Sequence, residues 1–146
     1  MGIAVFCGSE LVDWRVKNME GRWSKGKMEK AMSVISGLIG QHEPDVLSIK
    51  KLHPSRSSLN LNRLVSRIKG LAQRNGIRVY QYSIKELEDF FYPEGRINKR
   101  ELAEMVATEY PVLSHELNRE KAHRNPYHIR MFEAVALGSV CLYKSS

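Results

Sequence analysis

The sequence predicts an α/β sandwich, a mixed sheet flanked by helices, in one domain spanning residues 1 to 146. Three observations carry this. Segments of two-residue alternation occur first as a pair and then singly between amphipathic helical segments, an order that joins a hairpin to helix-linked parallel strands. Apolar residues make up 42% of the chain, enough for a core, while ten Gly and five Pro are too few for a disordered or collagen-like chain. No apolar stretch approaches the roughly 18 residues that a membrane helix needs, and the N-terminus lacks the basic-then-apolar pattern of a secretory signal. The two cysteines, Cys7 and Cys141, cannot build a framework of bridges, and neither is spaced for a metal or redox motif. A reducing compartment follows, and the cytoplasm is the expected location.

The elements follow in order. Gly2-Ile3-Ala4-Val5-Phe6 and Leu11-Val12-Asp13-Trp14-Arg15-Val16-Lys17 read as two strands joined by a tight turn at Gly8. Ser24 caps a helix with Met28, Ala31, Met32, Ile35, Leu38 and Ile39 at helical spacing, weakened by Gly37 and Gly40 and ended by Pro44. Val46-Leu47-Ser48-Ile49 is a short buried strand, followed by a polar loop from Lys50 to Ser58. Leu59 to Asn75 is the cleanest helix, with Leu61, Leu64, Val65, Ile68, Leu71 and Ala72 on one face and Asn75-Gly76 as its stop. Ile77 to Tyr82 alternates as a strand, and a short helix opens at Ser83 and runs out near Pro93. Asn98, with Glu101 three residues on, starts another helix. Residues 110 to 126 read as an irregular hydrophilic loop, and Asn125-Pro126 opens a last helix from Tyr127 to about Tyr143 that buries Met131, Phe132, Val135, Ala136 and Leu142. Tyr80, Tyr82, Phe90 and Phe91 read as core rather than base-stacking platforms.

The net charge of +7 is unevenly placed. Residues 46 to 85 hold nine bases and no acid, in a chain where 16 acids among 146 residues average about one in nine. Residues 86 to 120 reverse the balance, with four bases and nine acids. A forty-residue block without a carboxylate points to a polyanionic partner, against the plainer reading of a solvated basic face. Arg63, Arg67 and Arg74 fall within roughly 40° of one another on the polar side of their helix. His115, His123 and His128 match no strong zinc spacing and read as solvated loop histidines.

Several stretches, in order and spacing, line up with one family. Gly2-Ile3-Ala4-Val5-Phe6 with its hairpin comes first, then Glu43-Pro44-Asp45-Val46-Leu47-Ser48-Ile49 and Ile77-Arg78-Val79-Tyr80-Gln81-Tyr82. Gly95-Arg96-Ile97-Asn98-Lys99, leading into Leu102-Ala103-Glu104-Met105-Val106, and Glu133-Ala134-Val135-Ala136-Leu137-Gly138 complete the series. The chain thus resembles the RuvC Holliday-junction resolvases of the ribonuclease H-like superfamily over nearly its whole length. The resemblance implies a ribonuclease H-like mixed sheet flanked by helices, and a phosphodiester-cutting centre of two divalent metals held by clustered carboxylates.

Carried over residue by residue, that centre is depleted. The family's first carboxylate lies on a central strand before the hairpin, which this sequence does not contain. Either that strand exists upstream of Met1, or the chain is a diverged member that has lost cleavage. The second carboxylate position falls on Lys50, followed by Lys51, where positive charge opposes a cation. Of the two acidic positions on the last helix one falls on Arg130, and Glu133 alone retains a carboxylate, as a relic ligand or as a surface or interface acid. Without the central strand, Met1 to Phe6 either pair directly with the strand at Val46 or leave a destabilised sheet.

The expected function is therefore binding of duplex or branched DNA without sequence readout, with nuclease activity lost or reduced and no cofactor. Phosphate contacts are assigned to Lys50, Lys51, Arg56, Arg63, Arg67, Arg74, Arg96, Lys99 and Arg100, with Lys99 matching a family lysine near the scissile phosphate. The alternative is an active Mg2+-dependent structure-specific endodeoxyribonuclease of recombination or repair, with carboxylates recruited from Asp13, Asp45 or Glu86. A third reading, of a different class, is an interaction module or homodimer in which the acid-rich segment 86 to 120 serves another copy.

Overall fold

The computed structural model describes residues 1–17, 22–52, 58–123 and 126–145. They form a mixed α/β fold of two small sheets flanked by helices. By chain contact they divide into two compact units, Met1–Asn18 with Ile84–Ser146, and Met19–Ser83.

In the first unit β1 (Gly2–Cys7) and β2 (Glu10–Val16) form an antiparallel hairpin with an irregularity between Val5 and Phe6. Gly8 takes φ +60 at the turn, a left-handed conformation that costs glycine nothing. Met1 and Lys17 close the open end with two reciprocal backbone hydrogen bonds of 2.8 Å. The hairpin lies on the last helix of the chain, α6 (Pro126–Ser145), so closely that side chains would collide. A Cβ on Gly2 would stand 2.1 Å from the Arg130 carbonyl oxygen, and one on Gly138 2.1 Å from the Phe6 ring. Phe6 also meets Tyr110 edge to face at 5.7 Å, and the Tyr110 hydroxyl hydrogen-bonds Ser139 Oγ at 3.0 Å. Met131, Phe132, Val135 and Ala136 of α6 are buried as the sequence predicts, whereas Leu142 is half-exposed.

Around α6 stand α3 (Ile84–Phe91), α4 (Lys99–Glu109), a 3-10 turn (Pro111–Leu113) and α5 (Ser114–His123). The predicted Asn98 cap is a full capping box, Asn98 Oδ1 accepting from the Glu101 amide at 2.9 Å and Glu101 Oε1 from the Asn98 amide at 3.2 Å. The expected loop at 110 to 126 is instead largely helical. Its register explains why the pattern hides it: among its described side chains Leu113 and Glu120 are the buried ones, at helical spacing, and the second carries a carboxylate where an apolar residue would signal a helix.

In the second unit β3 (Val46–Lys50) and β4 (Arg78–Tyr82) are parallel, in register from Val46 opposite Arg78 to Lys50 opposite Tyr82. The connection is α2 (Leu59–Arg74), as a parallel pair requires. Leu64, Ile68 and Ala72 of α2 and Met28, Ala31 and Met32 of α1 (Lys25–His42) are buried. Ser24 and Ser58 cap the two helices through hydrogen bonds of 3.2 and 3.1 Å. Gly76, at φ +69, turns the chain from α2 into β4.

Among the described residues the sheets are two separate pairs, so of the two expected alternatives the one in which Met1 to Phe6 pair with the strand at Val46 is not met. A two-residue turn brings β2 to β1 at small loop-closure entropy, which a partner some forty residues away cannot match. No described helix is long and apolar enough to cross a membrane.

Candidate functional site

The charge follows the units. Met19–Ser83 carries twelve Lys and Arg against four Asp and Glu, a net of +8, which leaves eleven bases and twelve acids, a net of −1, for the rest.

In the basic unit α2 turns Leu64, Ile68 and Ala72 inward and sets Arg63, Arg67 and Arg74 about 120° round the helix from them, all three exposed. Core burial on one side thus presents one cationic stripe on the other. Arg67 Nη1 reaches Glu29 Oε1 of α1 at 2.8 Å, an exposed pair of the kind that adds little stability but fixes the guanidinium in place. That hydrogen bond, with the guanidinium charge behind it, holds the Glu29 carboxyl below its ordinary value. The contribution is present at neutral pH and fades as pH falls through the carboxylate range, the sign for a depressed acid. In Arg67→Ala, the Glu29 titration should move up toward its ordinary value by NMR, with Lys25 still lowering it; an unmoved titration would show that the pair does not form in solution.

Lys50 ends β3, half-buried, and Lys51 is exposed with its amide donating to the Tyr82 carbonyl at 2.8 Å. Leu52, Asn62, Val65, Ser66, Lys69 and Gln81 line a hollow of about 230 Å³ beside α2 and β4. Arg56 lies outside the described residues.

The other predicted residues gather in the first unit. Arg96 is exposed ahead of α4, next in sequence to the buried Ile97. Lys99 and Arg100 open α4, and each faces a buried carboxylate: Lys99 Nζ lies 3.4 Å from Glu133 Oε1 on α6, and Arg100 Nε 3.7 Å from Glu120 Oε1 on α5. Glu133 is 8% exposed and Glu120 2%, so Glu133 is a buried acid rather than a surface one. Buried carboxylates need nearby counter-charge, and the first turn of α4 supplies it to both. Part of the charge assigned to Lys99 and Arg100 is therefore answered by buried carboxylates and that of Arg67 by the exposed Glu29, while Arg63 and Arg74 are exposed to solvent. Glu120 went unnoticed in the sequence because it belongs to the misread helix.

Among the described residues no three His, Cys, Asp or Glu side chains come together as a metal-binding group. Lys50 and the exposed Arg130 place cations at two of the positions the resemblance assigns to metal ligands, and the retained Glu133 is faced by the Lys99 ammonium. These side chains do not fit a pair of divalent ions, whose mutual repulsion several carboxylates must offset. His115 is exposed, as expected, and Tyr82 is buried.

Neither a protein-family model nor a curated protein matches the sequence. A solved structure does match by fold: Thermus thermophilus RuvC superposes with a TM-score of 0.67 at 16% identity, over 99% of this chain and 86% of that one. The fold is RuvC-like. At that identity the likeness is one of architecture, and it joins the order of elements read from the sequence to a ribonuclease H-like frame. On that RuvC-like frame this chain sets its cationic stripe on α2 and its buried carboxylates beneath α4.

Proposed function

We propose that the protein binds nucleic acid, duplex or branched DNA, through the phosphate backbone, and that metal-dependent cleavage is lost or severely reduced. The observation that carries this reading is the +8 charge of Met19–Ser83 together with the exposed Arg63, Arg67 and Arg74 on one face of α2. Guanidinium groups suit phosphate oxygens because their planar fork donates two parallel hydrogen bonds. Nothing in the stripe distinguishes one base from another, so it positions rather than reads. Lys50 and Lys51 add to the basic surface in this reading, and Arg56 is assigned to it from the sequence alone. Arg96, Lys99 and Arg100 make weaker contacts, since the last two divide their charge with Glu133 and Glu120.

The resemblance to junction resolvases and the RuvC-like fold support a role beside branched DNA in recombination or repair. Loss of cutting rests on Lys50, Arg130 and the Lys99–Glu133 pair, which oppose a metal at three points. The test is fluorescence anisotropy of a labelled duplex across a salt series. Log affinity should fall linearly with log salt, at a slope of about −0.9 for each phosphate neutralised. Salt-independent binding, or none, would overturn the reading.

A further inference from the structure

The hollow beside α2 and β4 lies wholly within the second unit and takes no part in the phosphate contacts of the proposed function. Asn62, Ser66 and Lys69 line it from α2, where they fall within roughly 60° of one another, together with the half-buried Val65. Gln81, the last residue but one of β4, and Leu52, two residues beyond the end of β3, complete the lining. Both belong to the carboxyl ends of a parallel strand pair, the end at which open α/β sheets take their ligands. The lining holds two carboxamides, a hydroxyl, an ammonium and two aliphatic side chains, and among the described residues no carboxylate.

That set of groups suits a nucleobase. A carboxamide offers a donor and an acceptor side by side and pairs bidentately with a base edge, adenine above all, while aliphatic side chains pack on the flat face. At about 230 Å³ the hollow is smaller than the about 300 to 1,000 Å³ usual for drug-sized ligands, so it suits a single ring system rather than a dinucleotide. Its place on α2 supplies the partner. Asn62 and Ser66 directly precede Arg63 and Arg67, and the two faces lie about 110° apart on one helix, separated by less than its thickness of about 10 to 12 Å. We propose that the hollow receives one unpaired base of a DNA whose phosphates lie on the arginine stripe. Asn62 and Gln81 would hold the base edge, Leu52 and Val65 its face, and Lys69 the adjoining phosphate. The inference rests on the proposed function and narrows its substrate. Withdrawing a base from an intact pair costs stacking and pairing energy that an unpaired base has already lost, so the hollow selects branched or bulged DNA over perfect duplex.

The experiment is fluorescence anisotropy of the full chain with three labelled duplexes of one sequence: perfect, with a single-adenine bulge, and with an abasic residue in that bulge. Wild type should bind the adenine bulge about tenfold more tightly than the perfect duplex, the discrimination of one good bidentate contact. The abasic bulge keeps the interrupted backbone but lacks the base, and should bind like the perfect duplex. Asn62→Ala, which alters an exposed side chain, should reduce the preference, and Asn62→Ala/Gln81→Ala should abolish it. Both should keep the salt slope of wild type, because no charge is removed, and their binding of the perfect duplex shows that they are folded. Binding without a bulge preference, a preference that the abasic bulge shares, or one that survives both variants would overturn the proposal and leave the proposed function standing. Free adenosine monophosphate that binds without DNA and is weakened in Asn62→Ala, while the bulge confers no gain, would assign the hollow to a free nucleotide and likewise overturn it. No binding of any of the three duplexes would overturn the proposed function itself, and this inference with it.

Discussion

Replacing Arg63, Arg67 and Arg74 together by alanine should weaken duplex binding strongly at low salt and flatten its salt dependence by about 2.7 in log–log slope, about 0.9 for each lost phosphate contact. Between about 50 and 200 mM salt that difference in slope narrows the gap between wild type and variant by about 40-fold. The fold should survive, because all three side chains are exposed and lie away from the buried Leu64, Ile68 and Ala72. Among the described residues the ion pair lost is that of Arg67 with Glu29, an exposed one. The matching lysine triple keeps the charge and should keep most of the slope while losing the paired hydrogen bonds. An alanine triple that melts like wild type and binds with unchanged slope would remove α2 from the interface.

The second large effect concerns the frame. Gly138→Ala should destabilise the protein, although alanine is worth up to about 1 kcal/mol over glycine inside a helix. The added methyl would stand 2.1 Å from Phe6 Cε2 and 2.8 Å from Cδ2, in the body of the ring rather than at a movable end. Phe6 is itself held against Tyr110, which hydrogen-bonds Ser139 one residue beyond the glycine. Overpacking of this kind costs about 1 to 3 kcal/mol, so with the helix gain subtracted the net change should be a loss of up to about 2 kcal/mol by denaturant melts. In a Phe6→Ala background the same substitution should become neutral or stabilising, a reversal that marks the two residues as coupled. Equal effects in both backgrounds would mean that Phe6 does not pack on α6 as described.

Gly138 also illustrates how much could be read beforehand. The run Glu133 to Gly138 drew notice as a family resemblance, and the structure supplies a physical reason for its glycine, the ring that crosses it. Local devices were legible: the hairpin around Gly8, the capping box at Asn98, and the stop at Gly76, each written in residues a few positions apart. The basic face of α2 was legible too, because one helix determines which side chains share a side. The pairs at α4 were not. Lys99 meets Glu133 and Arg100 meets Glu120 only because α5 and α6 fold back beside α4, and no spacing announces contacts 34 and 20 residues apart. The helix that carries Glu120 was missed for a related reason, since a buried carboxylate occupies the position where periodicity looks for an apolar residue. The separation of the sheets into β1–β2 and β3–β4 likewise depends on which long-range pairing forms, a competition that alternation within a strand does not decide.

Binding without cutting is the central claim, and a labelled four-way DNA junction titrated with the full chain, once in EDTA and once in Mg2+ or Mn2+, tests it most directly. Equal affinity in the two conditions, with the junction intact on a denaturing gel, is the predicted result. Binding that appears only with the divalent ion, or cleavage that disappears in Glu133→Ala, would contradict it.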